Sequence, residues 1–430
     1  MNDSVIKRDH YLQKLTDRKD NGLIKVITGI RRCGKSYLLF NLFYDHLIES
    51  GVSEDHIITV ALDNDTQTEY RDPDKLSAFI RSKITDKDRY YILIDEVQYA
   101  ISKEELKNPD EIRLYNVLNG IMRLRNTDIY VTGSNSKLLT KDVMTAFRGR
   151  GDEVRVYPLS FTEYYGFTGG DKSDAYEDYA LFGGMPFVLF RKTPADKMNY
   201  LKGLFDETYF KDISERYDIL LPDVLEELTN DICSSVGSLT NASKIENTLK
   251  TVKNINVSSG TAAKYLDYLV ESFLFERASR YDVRGKKYFE YPHKYYCTDL
   301  GLRNARLNFR QIEETHIMEN IIFNELLRRG YAVDVGVVEL RENVNGNVAK
   351  KQCEIDFVVN NGSKKYYIQS ALNVDDPQKM QLELRPLKST HDFFKKIIIT
   401  KTNAKSWTDE DGILHLGLFE FLLNENSLDL

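Results

Sequence analysis

Eight consecutive residues, Gly29-Ile30-Arg31-Arg32-Cys33-Gly34-Lys35-Ser36, carry the densest chemical signal in the chain. They fit G-x-x-x-x-G-K-[ST], a pattern whose parts divide the work of holding a triphosphate tail. Glycine at each end lets backbone N–H groups turn toward phosphate oxygens where a Cβ would intrude. Lys35 offers an ammonium to the β and γ phosphates, and the Ser36 hydroxyl can ligate Mg²⁺. The stretch Gly29 to Ser36, with Tyr37 after it, is therefore expected to cradle a nucleotide at the positive end of a helix running from Tyr37 to Leu47.

Further along, the apolar run Tyr90 to Ile94 leads straight into Asp95-Glu96, which sets two carboxylates at the edge of a buried strand. This has the form of a Walker B element: Asp95 is expected to hold the Mg²⁺ shell together with Ser36, and Glu96 to polarise the attacking water as a general base. A third apolar run, Ile129 to Thr132, ends in Gly133-Ser134-Asn135-Ser136, so Ser134 or Asn135 can act as a polar sensor facing the γ phosphate. Arg148 and Arg150, in Phe147-Arg148-Gly149-Arg150-Gly151, supply a cationic fork for a γ phosphate on the same or a neighbouring subunit. The expected catalytic set is Lys35, Glu96, Asn135 and Arg150, with ATP and Mg²⁺ as the bound species. No N-K-x-D base-reading motif of a GTPase is present.

Chemistry of this kind needs a parallel sheet to hold it, and the first third of the chain supplies the pattern. Leu23 to Thr28, Ile57 to Leu62, Tyr90 to Ile94, Ile129 to Thr132 and Val154 to Val156 read as buried strands separated by helices. After Pro158 the sequence turns helical and aromatic, with a Gly183-Gly184 break. From Asp218 three helical patterns precede a hairpin, Phe275 to Tyr281 and Lys287 to Tyr291, in the order of a winged helix. A helix from Ile317 to Arg329 then opens a second α/β region with strands at Ala332 to Val338, Glu354 to Val359, Lys365 to Gln369 and Lys396 to Thr400. The expected domains are 1–165 (nucleotide binding), 166–217 (helical lid or connector), 218–305 (winged-helix-like) and 306–430 (α/β).

The 430 residues are 42% hydrophobic and 29% charged with a net charge of -7, the balance of a folded globular protein without long-range attraction to nucleic acid or anionic membrane. No apolar run is long enough to cross a bilayer, and Cys33, Cys233, Cys297 and Cys353 form no metal or disulfide pattern, so a reduced, cytoplasmic setting is expected.

The combination of Gly-Ile-Arg-Arg-Cys-Gly-Lys-Ser, Ile-Leu-Ile-Asp-Glu-Val-Gln, Thr-Gly-Ser-Asn-Ser and Gly-Arg followed by Tyr-Pro-Leu-Ser-Phe-Thr-Glu-Tyr resembles a prokaryotic group of AAA-type P-loop ATPases with an uncharacterised C-terminal domain. Thr298 to Arg303, Met318-Glu319-Asn320 and Glu354-Ile355-Asp356-Phe357 extend the resemblance through most of the chain. It implies a P-loop NTPase α/β fold and ATP binding with hydrolysis. Lys35, Ser36, Asp95, Glu96 and Arg150 match motif positions, while Arg32 and Cys33 fill variable ones. A nucleotide-regulated binding module with little hydrolysis is the alternative.

Two auxiliary sites complete the expectations. The last region resembles a restriction-endonuclease core, in which a helix carboxylate, a strand aspartate and an E-x-K gather a divalent metal. Glu319 and Asp356 fill the first two places, with Glu354 as a substitute ligand, but the third reads Gln369-Ser370-Ala371, so an inactive scaffold is expected. In the winged-helix region, Val257 to Glu271 is the recognition helix, with Ser258, Ser259, Thr261 and Lys264 outward and Tyr265, Leu266 and Leu269 inward, and Arg280, Arg284, Lys286 and Lys287 on the wing. Asp267 and Glu271 on the same helix oppose DNA and favour a protein contact. The partners compatible with these features are ATP, a second copy of the chain, and DNA at the winged helix; a membrane is not among them.

Overall fold

Five apolar runs become the five strands of a wholly parallel sheet: β1 (Ile24–Thr28), β2 (Ile57–Ala61), β3 (Tyr90–Asp95), β4 (Thr127–Thr132) and β5 (Gly151–Arg155), in the order β2-β3-β4-β1-β5. The computed structural model describes residues 5–102, 104–105, 112–134, 149–344, 347–372 and 376–430. Residues of β1, β3 and β4 are buried without interruption, as strands covered on both faces must be. Helices Pro73–Lys83 and Arg113–Met122 send Leu76, Ile80, Leu114 and Leu118 into one core with Ile92, Ile94 and Val131. Parallel order brings the carboxyl ends of β1, β3 and β4 to one edge, where the loop after β1, the acids after β3 and the turn after β4 meet.

The chain divides into two compact units. The first runs to Pro158 and takes in Glu271–Phe273; the second holds Leu159–Val270 and Leu274–Leu430. In the second unit helices come first. Phe161–Thr168 starts with a reciprocal cap, Ser160 accepting from the Glu163 backbone N–H while the Glu163 carboxylate accepts from that of Ser160. Helices Pro222–Ser234, Ala242–Lys253 and Ser259–Glu271 then precede the hairpin β6 (Phe275–Asp282) and β7 (Lys287–Cys297), in the expected order. Tyr265, Leu266 and Leu269 are buried and Lys264 is exposed, also as expected.

The hairpin does not end a separate domain. Its β6 pairs in parallel with β8 (Ala332–Val344), and the sheet continues through β9 (Asn347–Asn361), β10 (Lys364–Ala371), β11 (Lys395–Thr400), β12 (Trp407–Thr408) and β13 (Ile413–Gly417). The eight strands lie in the order β12-β13-β11-β10-β9-β8-β6-β7, so no boundary at residue 305 divides them. Strand β7 also runs past the expected Tyr291 to Cys297. There Asn320, on helix Glu314–Arg328, accepts from the Cys297 N–H at 2.9 Å and donates to its carbonyl at 2.8 Å, supplying the bonds a further strand would make. Tyr296 stacks on Phe323 of that helix at 4.0 Å.

A second junction forms at Gly183-Gly184. Asp299, at the start of helix Leu300–Arg306, accepts from the backbone of Leu302 at 3.0 Å and of Gly184 at 2.7 Å. A Cβ on Gly183 would lie 2.4 Å from that carboxylate, and one on Gly301 2.0 Å from the Phe182 carbonyl. Among the described residues no helix is long and apolar enough to cross a membrane.

Candidate nucleotide site and a second carboxylate centre

The loop after β1 is a tight backbone cage. Gly29 has φ 142° and Gly34 φ 101°, and a Cβ on Gly29 would sit 2.1 Å from the Val156 carbonyl oxygen, so glycine is required there. Arg32 also lies in the left-handed region, at φ 61°, a conformation the surrounding loop must impose. From outside, Arg8 donates to the carbonyls of Cys33 at 2.9 Å and Tyr157 at 2.7 Å, tying the loop to the chain beyond β5. The helix follows as Lys35–Tyr37, a π-turn Leu38–Phe43 and Tyr44–Glu49. Lys35 is buried, and its ammonium donates to the Gly29 and Ile30 carbonyls at 2.9 and 3.1 Å. Arg31 donates to the Tyr99 hydroxyl at 3.1 Å, and Tyr37 is 41% exposed.

Asp95 and Glu96 meet this loop. The Asp95 carboxylate is hydrogen-bonded by the hydroxyls of Ser36 and Thr132. Burial, reinforced by the neighbouring Glu96, pushes Asp95 up to about 6 against the pull of those two hydroxyls. Glu96 sits at φ 53°, its N–H donating to Thr132 Oγ1 at 2.9 Å, so the chain turns sharply where β3 ends. Its carboxylate is gripped from two sides: Ser134 Oγ lies 3.0 and 2.9 Å from the two oxygens, and the Gln98 amide donates to one of them.

The structure thus brings Lys35, Ser36, Asp95, Glu96 and Ser134 to one edge of the sheet. It does not bring Arg150 there. The Arg150 carbonyl accepts from the Ile24 N–H at 2.9 Å, at the amino end of β1, and Gly151 pairs with Ile24 while Arg155 pairs with Thr28. The length of β5, roughly 13 Å at the usual strand rise, separates it from the loop of its own chain. Asn135 and Arg148 lie outside the described residues. Sequence reasoning missed Thr132 and Gln98. A threonine ending an otherwise apolar strand is a signal that could have found the first; Gln98 follows Glu96 by two residues without any distinctive pattern.

The second unit gathers carboxylates differently. Glu319 on helix Glu314–Arg328 and Glu354 and Asp356 on β9 converge as expected, but around a lysine. The Lys294 ammonium, on β7, lies 2.9 Å from Glu319, 2.6 Å from Glu354 and 4.0 Å from Asp356, with its side chain 4% exposed. Tyr296 donates to the same Glu319 oxygen at 2.6 Å. Burial lowers the lysine, yet Glu319, Asp356 and Glu354 outweigh it and hold the ammonium above its ordinary value. Burial and the Glu319 charge drive Asp356 well above the usual carboxylate range. Gln369 accepts weakly from the Asp356 N–H at 3.4 Å and donates to Glu383 at 3.0 Å, and the Ser370 N–H donates to Asp356 at 2.8 Å. Ala371 is buried. On the hairpin, Arg280 reaches Gln352 at 3.3 Å and Arg284 the Ser389 carbonyl at 2.8 Å, so two of the four expected wing cations have partners within the unit.

Residues 21–165 match an AAA domain, and residues 173–313 match a domain of unknown function (DUF8612). An uncharacterised protein of Haemophilus influenzae is 33% identical over 429 residues, covering 98% of this chain and 100% of that protein. An uncharacterised protein of Methanocaldococcus jannaschii is 27% identical over 426 residues, covering 95% and 86% respectively. Among solved structures, a Walker-type ATPase of Pyrococcus abyssi is 15% identical and aligns over 71% of this chain and 97% of its own, with a TM-score of 0.49.

Proposed function

The chain belongs to the same family as the uncharacterised Haemophilus influenzae protein and carries an AAA domain; on that premise we propose that it binds ATP with Mg²⁺ and hydrolyses it. The observation that carries this reading is the meeting of the Ser36 hydroxyl and the Asp95 carboxylate beside a buried lysine at the carboxyl edge of the sheet. These residues fit a Mg²⁺–triphosphate on two grounds. Asp95 is a buried acid with no ion pair among the described residues, and the loop leaves no room for a side chain at Gly29. Bound Mg²⁺ supplies charge neutralisation at the β and γ oxygens. Lys35 exchanges two neutral carbonyls for phosphate oxygens, a stronger charge-assisted contact. Ser36 and Asp95 hold the metal shell, and Glu96 takes the proton of the attacking water as the bond between the γ phosphorus and the bridging oxygen breaks.

Glu96→Gln is the test. Phosphate release should fall about 10²- to 10⁴-fold while ATP binding survives; unchanged turnover would remove Glu96 from the reaction. The grip of Ser134 and Gln98 on Glu96 favours a second reading, a nucleotide-regulated binding module with slow turnover, and a slow parent rate that Glu96→Gln leaves intact selects it.

The remaining assignments are proposals of the same kind. Arg150, remote from its own loop, serves the nucleotide of a second copy, and specific activity should then rise with protein concentration; a flat profile rules this out. The helices and hairpin from Pro222 to Cys297 are read as a winged helix that contacts protein or DNA, and the sheet with helix Glu314–Arg328 as a restriction-endonuclease-like core without hydrolytic activity.

A further inference from the structure

Trp407 is the single tryptophan of the chain, and 54% of it is exposed. It is nevertheless fixed. Trp407 pairs with His415 across β12 and β13, the two rings lie parallel at 4.0 Å with 14° between their planes, and His415 Nε2 is held by Asp409 at 3.0 Å. One face of the indole is therefore backed by an anchored imidazole, and the exposed remainder borders a cavity of about 330 Å³.

The cavity opens at the carboxyl ends of three mutually parallel strands, β10, β11 and β13, the edge where sheets of this kind bind ligands. Gly417 ends β13 with the loop after β11 drawn close over it: a Cβ there would lie 2.7 Å from the Thr402 carbonyl. Thr400, Lys401, Thr402, Lys405 and Met380 line the cavity with the indole. The acids nearby are engaged, Asp409 with His415 and Glu314 with Lys401 at 3.7 Å, while Lys405 is exposed and has no ion pair among the described residues. The lining itself holds two lysines and no acid, in a chain of net charge -7.

We propose that this cavity binds one base-and-phosphate unit of a nucleotide, the base against the open face of Trp407 and the phosphate beside Lys401 and Lys405. A flat aromatic face accepts any base. Lysine binds phosphate as a point charge, whereas a planar carboxylate is best met by an arginine fork, and no arginine lines the cavity. The volume lies at the small end of the ~300–1,000 Å³ range of ligand pockets, which fits a single nucleotide unit. The site is separate from the phosphate loop and does not depend on how that loop is read. Its ligand comes either as a free mononucleotide or as part of a single strand.

Because no other tryptophan contributes, the indole emission of the full-length chain reports this cavity alone. The chain would be titrated at low salt with a ten-residue oligothymidylate, with thymidine monophosphate and with an acidic peptide of equal charge. Saturable quenching by the oligonucleotide alone identifies a single strand, and quenching by the monophosphate as well identifies the free nucleotide; either supports the proposal. With a labelled oligonucleotide read by anisotropy, Trp407→Ala should weaken binding by roughly tenfold or more. Lys405→Ala should reduce the slope of log affinity against log salt by about 0.7. Melting curves matching the parent confirm that both variants are folded, and should Trp407→Ala fail that check, Lys405→Ala with intact emission decides. Absence of quenching by both nucleotide ligands, equal quenching by the peptide, or parental affinity in the folded variants overturns the assignment.

Discussion

Lys35 in the first unit and Lys294 in the second are both buried lysines, and the two ammonium groups are used in opposite ways. Lys35 donates to two neutral loop carbonyls, Asp95 has no ion pair among the described residues, and burial and Glu96 hold that acid at about 6. Lys294 is enclosed by Glu319, Glu354 and Asp356 and answers their charge from within. A carboxylate centre that lacks its own cation retains a demand for a foreign one; a centre that contains a lysine has met most of that demand on folding. The first arrangement suits a metal and a polyanion that come and go, the second a fixed strut between helix and sheet.

The sharpest way to break this contrast is to remove Lys294. Lys294→Ala leaves three acids facing one another in a buried place, and denaturant unfolding should register a loss of about 3–5 kcal/mol from the second unit. Added Mn²⁺ should return part of that stability to the variant and none to the parent. A variant as stable as the parent would sink the view of Lys294 as a strut. Next in size, Lys35→Ala should leave unfolding nearly unchanged but weaken ATP binding by about 10- to 100-fold, the value of a charge-assisted contact, as measured by calorimetry. Equal affinity would mean that Lys35 never leaves the carbonyls it now holds.

The mildest test separates the two aspartates. Asp356 holds its proton well above the ordinary value when folded, whereas an unfolded aspartate releases it near ~4. Through this group the second unit should lose stability as pH rises above ~4, until the folded acid ionises as well, since over that span the folded state binds more protons. Asp356→Asn keeps an oxygen for the Ser370 N–H and should flatten that portion of the pH curve; an unaltered slope assigns the proton elsewhere. Neutralising Asp95 instead should remove Mg²⁺-dependent turnover with little effect on unfolding.

The two centres also differed in how far they could be read from sequence. The loop Gly29 to Ser36 and the acids Asp95 and Glu96 are contiguous runs at the ends of apolar strands, so local order fixes both their identity and the sheet edge they occupy. Glu319, Glu354 and Asp356 were legible differently, through the resemblance to a restriction-endonuclease core with its helix carboxylate and strand aspartate. Lys294 was not: it lies in a strand expected to stop at Tyr291, and the pairing with β6 that carries β7 on to Cys297, with Ala278 opposite Lys294, brings it inward. Arg8 was silent too, because a lone arginine near the start of a chain carries no mark of the carbonyls it will meet. Arg150 could be placed before β5 from sequence, but the end of the sheet it occupies follows from strand direction, a property of pairing rather than of residues.

The junction at Gly183-Gly184 and Gly301 has a consequence for variation. There main chain touches main chain and the Asp299 carboxylate: a Cβ would lie 2.2 Å from the Leu159 carbonyl at 184 and 2.0 Å from that of Phe182 at 301. Even alanine cannot enter without prising two segments apart. In a saturation library these three positions would stand as blanks, intolerant in every chemical direction, although none of them lies in the loop that holds the phosphates.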